Sequence, residues 1–313
     1  MSIEFSKNLF GKLSVNSDYY LADLDQRLPL FYGIDNKGHY SLVYQTERLR
    51  QDISGTKILD VSTGRIGNDE KYVVSLSLLD NDFKSVFFSL CDDIFSVLNN
   101  ISDNESGYLI FIDRIKKWKK MFSRKTPLLT EPIIQGLYGE LYFLDNYMFQ
   151  KYGMEKAIKA WGGPQGMSKD FSIGLDWYEV KCINAQKDKV IISSAQQLDS
   201  ENPGTLVVIK TEYVPEGFDN GIATINKLFW KIKKELSSLP GSEELFMDCL
   251  SKRDFAPNEE YDKWRFNVTH VDYYNVDSDF PRITPSNEQK SAIGKITYEL
   301  ILDALKKYTK EGK

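Results

Sequence analysis

Histidine is almost absent from this chain: His39 and His270 are the only two in 313 residues. A Ser–His–Asp triad, a His-built zinc hydrolase site or a His-ligated redox metal therefore lacks its parts, and any metal site has to rest on carboxylates. Cysteine is nearly as scarce. Cys91, Cys182 and Cys249 stand far apart with no CxxC pair, which excludes a disulfide framework or a zinc knuckle and fits a reducing cytoplasm. No Walker A loop and no GxGxxG fingerprint occurs, so ATP or NAD binding by those routes is excluded. No apolar run is long enough to span a bilayer, and Met1-Ser2-Ile3-Glu4-Phe5 has no signal-peptide core. The expectation is a cytoplasmic protein with no membrane partner.

What is present is an ordinary globular composition, 42% hydrophobic and 27% charged, in a length that suggests two domains or one enlarged one. The net charge of −5 argues against a general nucleic-acid coat but leaves room for a local basic surface. Residues 1–105 read as a β-rich N-terminal module. Strand patterns at Phe31–Ile34 and Tyr40–Thr46 flank the turn signal Asp35-Asn36-Lys37-Gly38. Two more strands follow at Lys57–Val61 and Lys71–Leu79, then a helix at Phe87–Asn99. His39 and Cys91 read as structural.

Residues 106–313 hold everything that looks chemical. Phe111, Ile115, Trp118 and Phe122 form an apolar helical stripe. Between and after them stand Arg114, Lys116, Lys117, Lys119, Lys120, Arg124 and Lys125, with no acid from 114 to 125. A charge run of this kind is often only a solvated helix face, and the alternative is a helix that contacts duplex phosphates. Glu131–Phe149 is a second helix, with Pro132 in its first turn and Ile133, Ile134, Leu137, Leu141 and Leu144 on its buried face. Gly136 and Gly139 would admit a close neighbour. Glu140 sits at the edge of that face, where a carboxylate needs a partner or an outlet to water.

After a connector at 157–169 comes Lys169-Asp170-Phe171-Ser172-Ile173-Gly174-Leu175-Asp176-Trp177-Tyr178-Glu179-Val180-Lys181, which reads as a β-hairpin around a Gly174-Leu175 II′ turn. In that register Ile173 faces Asp176 and Asp170 faces Glu179, with Cβ atoms about 5 Å apart on one face of the sheet. Lys181, two residues on, shares the face, while Tyr178, Val180 and Cys182 point to the core. Two carboxylates this close repel unless a cation lies between them. Acid-x-Lys triplets also occur here at Asp35, Asp69, Asp82, Glu288 and Glu311, so Glu179-Val180-Lys181 alone would read as a solvated strand face. The facing Asp170, the apolar opposite side and the Glu140 helix make it a candidate Mg²⁺ site, since Mg²⁺ takes hard oxygen ligands and phosphate oxygens. Farther on, the sequence predicts a strand at Lys189–Ser193, a helix starting at Ser194–Leu198, and a buried strand at Thr205–Tyr213. It also predicts a helix at Ile222–Leu239 with Lys231, Lys233 and Lys234 outward, a short helix at Leu245–Leu250, strands at Arg265–Val276 and Ile293–Leu302, and a helical tail.

At Gly139-Glu140-Leu141, Asp170-Phe171, Glu179-Val180-Lys181 and Ser193-Ser194-Ala195-Gln196-Gln197-Leu198-Asp199 the chain resembles the PD-(D/E)XK nuclease superfamily. More narrowly, it resembles a bacterial PD-(D/E)XK family associated with restriction-modification and phage-defence gene clusters. Trp161, Gly163-Pro164 and Asp279-Phe280-Pro281-Arg282-Ile283-Thr284 belong to the resemblance, which covers most of the chain. It implies an α/β (α+β) restriction-endonuclease-like core, a mixed central sheet flanked by helices, followed by a C-terminal extension. It also implies DNA phosphodiester hydrolysis with Mg²⁺ or Mn²⁺. Asp170, Glu179 and the Val180 carbonyl would ligate the metal, Lys181 would orient water or neutralise charge, and Glu140 would support the metal or its water. Gln197, ahead of Gln196, would be the glutamine of the following helix. Lys169 stands where the superfamily name has proline, within reach of Asp170. A non-catalytic DNA-binding or scaffolding subunit of a defence complex is the alternative, and a nuclease for branched DNA or RNA a third reading. Cutting both strands calls for two active sites, hence a homodimer, and a methyltransferase or ATPase subunit is a further expected partner.

Overall fold

A computed structural model of the chain describes residues 5–13, 19–22, 28–49, 53–67, 71–122, 127–162, 167–217 and 223–310. It divides into two compact units, Met1–Pro127 with Asp254–Asn258, and Leu128–Arg253 with Glu259–Lys313. The boundary expected at 105 falls at the start of a helix that belongs to the first unit.

The first unit begins with α1 (Phe5–Phe10) and a five-stranded antiparallel sheet in the order β1-β2-β3-β5-β4. Its strands are β1 (Tyr20–Leu21), β2 (Leu30–Ile34), β3 (Tyr40–Thr46), β4 (Leu59–Arg65) and β5 (Tyr72–Leu78). The β2–β3 turn is tied by Asp35, whose carboxylate accepts the Lys37 and His39 N–H groups and the His39 ring nitrogen at 2.9, 2.8 and 3.0 Å. His39 is thus structural. Helices α2 (Lys84–Leu98) and α3 (Asn104–Trp118) pack together. The Asp103 side chain caps α3 by accepting the Ser106 N–H, one of the donors that a helix start leaves unpaired.

Buried in α2, Asp92 accepts the Ser6 N–H at 2.7 Å, and its other oxygen has no partner among the described residues. Burial pushes its carboxyl from 3.8 up to about 7; neighbouring Asp93 pushes the same way and the Ser6 N–H opposes. An acid whose folded pKa is raised binds more protons folded than unfolded, so stability falls as pH rises from about 4 to about 7. The cost above pH 7 is up to about 4 kcal/mol. Urea titrations of wild type and Asp92→Asn should coincide near pH 4, and the variant should be more stable at pH 8. A wild type equally stable at both pH values would contradict this.

The second unit opens with α4 (Glu131–Phe143), which runs through a π turn at Leu144–Met148 into α5 (Phe149–Tyr152). Gly153, at φ 78°, breaks it, and α6 (Met154–Ala160) forms where the sequence suggested a connector. Then come β6 (Phe171–Ile173), β7 (Asp176–Asn184), β8 (Lys189–Ile192), β9 (Gly204–Tyr213), α7 (Ile225–Leu236), α8 (Pro240–Lys252) and β10 (Phe266–Val276). The last elements are α9 (Asn287–Ala292), β11 (Tyr298–Ile301) and α10 (Leu302–Leu305). The order β10-β9-β7-β6, with β7 parallel to β9 and the other pairs antiparallel, is the mixed central sheet expected. Central β9 is buried on both faces, so Leu206-Val207-Val208-Ile209 is continuously apolar.

Alternation along β7 assigns its two faces. Tyr178 and Cys182 meet α4, with the Tyr178 and Phe143 rings 5.3 Å apart. Trp177 and Ile183 pack with Leu206 and Val208 of β9 and with Val190, Ile192 and Leu300 of the separate β8–β11 ribbon. Two differences from the α4 expectation are informative. Ile133 is exposed, not buried, because the buried stripe begins at Ile134. A Cβ on Gly139 would lie 2.5 Å from the Cys182 Cβ, whereas one on Gly136 would meet nothing within 4 Å. Gly139→Ala should therefore cost about 1–3 kcal/mol by forcing α4 off β7. Gly136→Ala should be neutral or stabilise by up to about 1 kcal/mol. Denaturant midpoints of the two variants would show whether they move in opposite directions.

Candidate active site

The hairpin forms as its sequence dictates. Ile173 pairs with Asp176, Ser172 with Trp177 and Phe171 with Tyr178. Gly174 has φ 61°, and Asp254 is the one non-glycine with positive φ among the described residues, so Leu175 keeps a negative φ and the turn is type II′. Asp170 lies one residue before β6, next in line to Glu179. Its Oδ2 accepts the Val180 N–H at 2.8 Å, which fixes the carboxylate against the strand that carries Glu179 and Lys181.

Glu179 is 1% exposed. Lys181 Nζ stands 2.8 Å from its Oε1, yet neither carboxylate oxygen has a well-directed hydrogen bond. The close approach makes an ion pair at Oε1, and Oε2 has no partner among the described residues. Lys181 Nζ also donates to Gln197 Oε1 at 3.2 Å, and the Ser193 N–H donates to the same oxygen at 2.8 Å. Gln197, not exposed Gln196, is thus the glutamine that reaches the site. It stands in a single 3-10 turn, Ala195–Gln197, in place of the expected helix.

Glu140 reaches the same cluster from α4, and it is fully engaged. Trp161 Nε1 donates to its Oε2 at 2.7 Å, and Arg253 Nη2 lies 2.9 and 3.0 Å from its two oxygens. Arg253 was not anticipated. It follows α8, outside any periodic pattern, and no sequence signal pairs it with Glu140. Lys169, placed to compete for Asp170, turns away instead: its ammonium donates to the carbonyls of Gln196, Gln197 and Asp199.

The electrostatics are those of a site short of positive charge. Burial, then the Asp170 charge, pushes the Glu140 carboxyl up to about 7, against the pull of Arg253, Trp161 and Lys181. Burial and then Asp170 push Glu179 up to about 8, with Lys181 opposing. Burial raises Asp170 too, against Lys181, the Val180 N–H, Arg253 and Lys169. Each acid gains from a proton or another cation beside it. Among the described residues no group of three or more His, Cys, Asp or Glu side chains is arranged to hold a metal ion. The donors on offer are two carboxylates, Asp170 and Glu179, with main-chain oxygen. The buried Oε2 of Glu179, which has no partner among the described residues, fits a hard divalent cation.

A family model described as "Putative PD-(D/E)XK family member, (DUF4420)" matches residues 9–303. The chain belongs to this PD-(D/E)XK family. No curated protein and no solved structure matches it. In this chain Asp170 stands just before one strand, Glu179-Val180-Lys181 lies on the next, Glu140 on the preceding helix and Gln197 after β8.

The basic segment lies in the first unit and is less uniform than its sequence. Arg114, expected to face a duplex, is buried, 3.7 Å from Asp93, because the Trp118 side of α3 packs inward. Lys117 pairs with Asp113 at 3.0 Å, and Lys119 donates to Ser54 Oγ at 2.8 Å. Lys116 and Lys120 are exposed; Arg124 and Lys125 lie outside the described residues, as do Gly163 and Pro164. Among the described residues no helix is long and apolar enough to cross a membrane.

Proposed function

We propose that this protein is a DNA endonuclease that hydrolyses phosphodiesters with Mg²⁺ or Mn²⁺. The observation that carries the reading is the buried Glu179 carboxylate, without a directed hydrogen bond, beside Asp170 and Lys181. Asp170 and Glu179, with the Val180 carbonyl, would hold the ion, which when bound neutralises charge on a phosphate oxygen. Lys181 orients the attacking water or stabilises charge building on the phosphate, and Gln197 holds the Lys181 ammonium at that spot. Glu140 acts from outside the ligand set, since Arg253 and Trp161 already occupy its oxygens. Lys116, Lys119 and Lys120 are the proposed phosphate contacts; Arg114 and Lys117, whose side chains are little exposed and paired to aspartates, are withdrawn from them. A restriction or phage-defence setting follows from the family resemblance.

The engagement of Glu140 favours a second reading, a DNA-binding or scaffolding subunit that keeps the fold without cleaving. One experiment separates the two: titrate Mn²⁺ calorimetrically into wild type and Asp170→Ala, then incubate both with methylated and unmethylated plasmid. The nuclease reading expects binding and cleavage in wild type and neither in the variant. DNA binding that survives in Asp170→Ala, with no cleavage by wild type, would favour the subunit.

A further inference from the structure

The segment that carries Gln197 has its backbone oxygens held by side chains rather than by secondary structure. Lys169 Nζ donates to the carbonyls of Gln196, Gln197 and Asp199 at 2.5, 2.8 and 3.0 Å. Arg282 Nη1 donates to the carbonyls of Leu198 and Ser200 at 2.7 and 3.0 Å. Five consecutive carbonyls, residues 196 to 200, thus point at two cations. Trp177 extends the grip: its Nε1 donates to the Asn202 carbonyl at 2.9 Å, and its ring lies 4.4 Å from the Lys169 ammonium. An ammonium has three N–H donors, and here all three go to this one loop.

Buried carbonyls are ordinarily paired within helices or sheets, and turning this many toward two side chains fixes the loop where no regular element could. The fixed point matters because of what the loop carries. Gln197 Oε1 receives both the Ser193 N–H and the Lys181 ammonium, so the loop's position sets how far Lys181 leans toward Glu179. Lys169 also immediately precedes Asp170, so one stretch of backbone delivers the acid and its clamp.

We propose that Lys169 and Arg282 are positioning residues, which clamp the 196–200 backbone so that Gln197 holds Lys181 beside Glu179. The geometry stands by itself; the turnover readout rests on the nuclease reading above.

The test uses full-length wild type, Lys169→Met, Arg282→Met, Gln197→Ala and the double variant Lys169→Met/Gln197→Ala. Amide hydrogen exchange at residues 197–199 and plasmid cleavage with Mn²⁺ are followed in each. Lys169→Met is expected to speed exchange at those amides by at least ~10-fold while distant strands keep their protection. It is also expected to lower kcat by ~10-fold or more, with KM within about twofold. In the Gln197→Ala background the same substitution should lower kcat no further, because it acts through Gln197. Arg282→Met, which removes two of the five bonds, should do the same to a smaller degree and stands in if Lys169→Met fails to fold. Unchanged exchange at 197–199, or a full multiplicative loss in the double variant, overturns the clamp. If exchange responds as stated and not even wild type cleaves, the clamp stands and the nuclease reading falls.

Discussion

Lys181→Met should lose DNA cleavage by a factor of about 10²–10³, the size expected when one preorganised charge-stabilising donor is removed from a site of this kind. The protein should nonetheless fold. Removing one partner of a buried ion pair usually costs about 3–5 kcal/mol, because the other charge is stranded. Here the stranded group is Glu179, whose carboxyl burial and then Asp170 already push up to about 8 with Lys181 present. Losing the ammonium that opposes this shift raises it further, so at neutral pH Glu179 takes a proton and stays neutral. Thermal unfolding at pH 7 should therefore change little, whereas at pH 9 the variant should be clearly weaker than wild type. The sign follows from linkage: a raised folded pKa in an acid removes stability as pH rises toward it. Mn²⁺ binding should be retained, but it should now displace the proton of Glu179, so its affinity should rise with pH. Full cleavage by Lys181→Met would sink the role given to Lys181; lost metal binding would mean that the lysine, not the acids, organises the site.

The hairpin was legible because two rules suffice for it. A two-residue turn fixes register, and a side-chain period of two then fixes which groups converge. Glu140 was legible as a carboxylate at the edge of an apolar stripe. What escaped the sequence are contacts between elements far apart in the chain. Arg253 lies 113 residues from Glu140, and Arg282 lies 84 from Leu198. Neither arginine belongs to a periodic pattern. The 194–198 stretch looked like a helix start, and local propensity could not reveal that its carbonyls are taken by Lys169 and Arg282. Helix α6 has only seven residues, too few for a periodic signal. The basic segment misled in a different way: charge counting cannot show that Arg114 turns inward to Asp93.

The same blindness applies to α7, where Lys231, Lys233 and Lys234 looked outward alike. On a helical wheel Lys231 and Lys233 stand about 160° apart, so one of the three can be buried against another element. That one is Lys233, 4% exposed, whose Nζ donates to Glu243 Oε1 of α8 at 2.8 Å; Glu243 is fully buried. Lys233→Met should destabilise the second unit by up to about 3–5 kcal/mol, the cost of taking the ammonium away from a buried carboxylate. Glu243→Leu alone should be comparably damaging, since it strands the ammonium. Lys233→Met/Glu243→Leu should recover most of the loss, because an apolar pair of similar volume needs no desolvation of charge. Urea unfolding of the four proteins gives the coupling energy directly. Single variants within about 0.5 kcal/mol of wild type would mean that the pair is exposed to water in solution. Function should follow stability here through one particular contact. Arg253 caps the C-terminal end of α8, so a helix that loosens on α7 loosens the guanidinium that grips Glu140. Freed from Arg253, Glu140 should hold its proton to still higher pH, since the guanidinium is the largest of the pulls that oppose its burial.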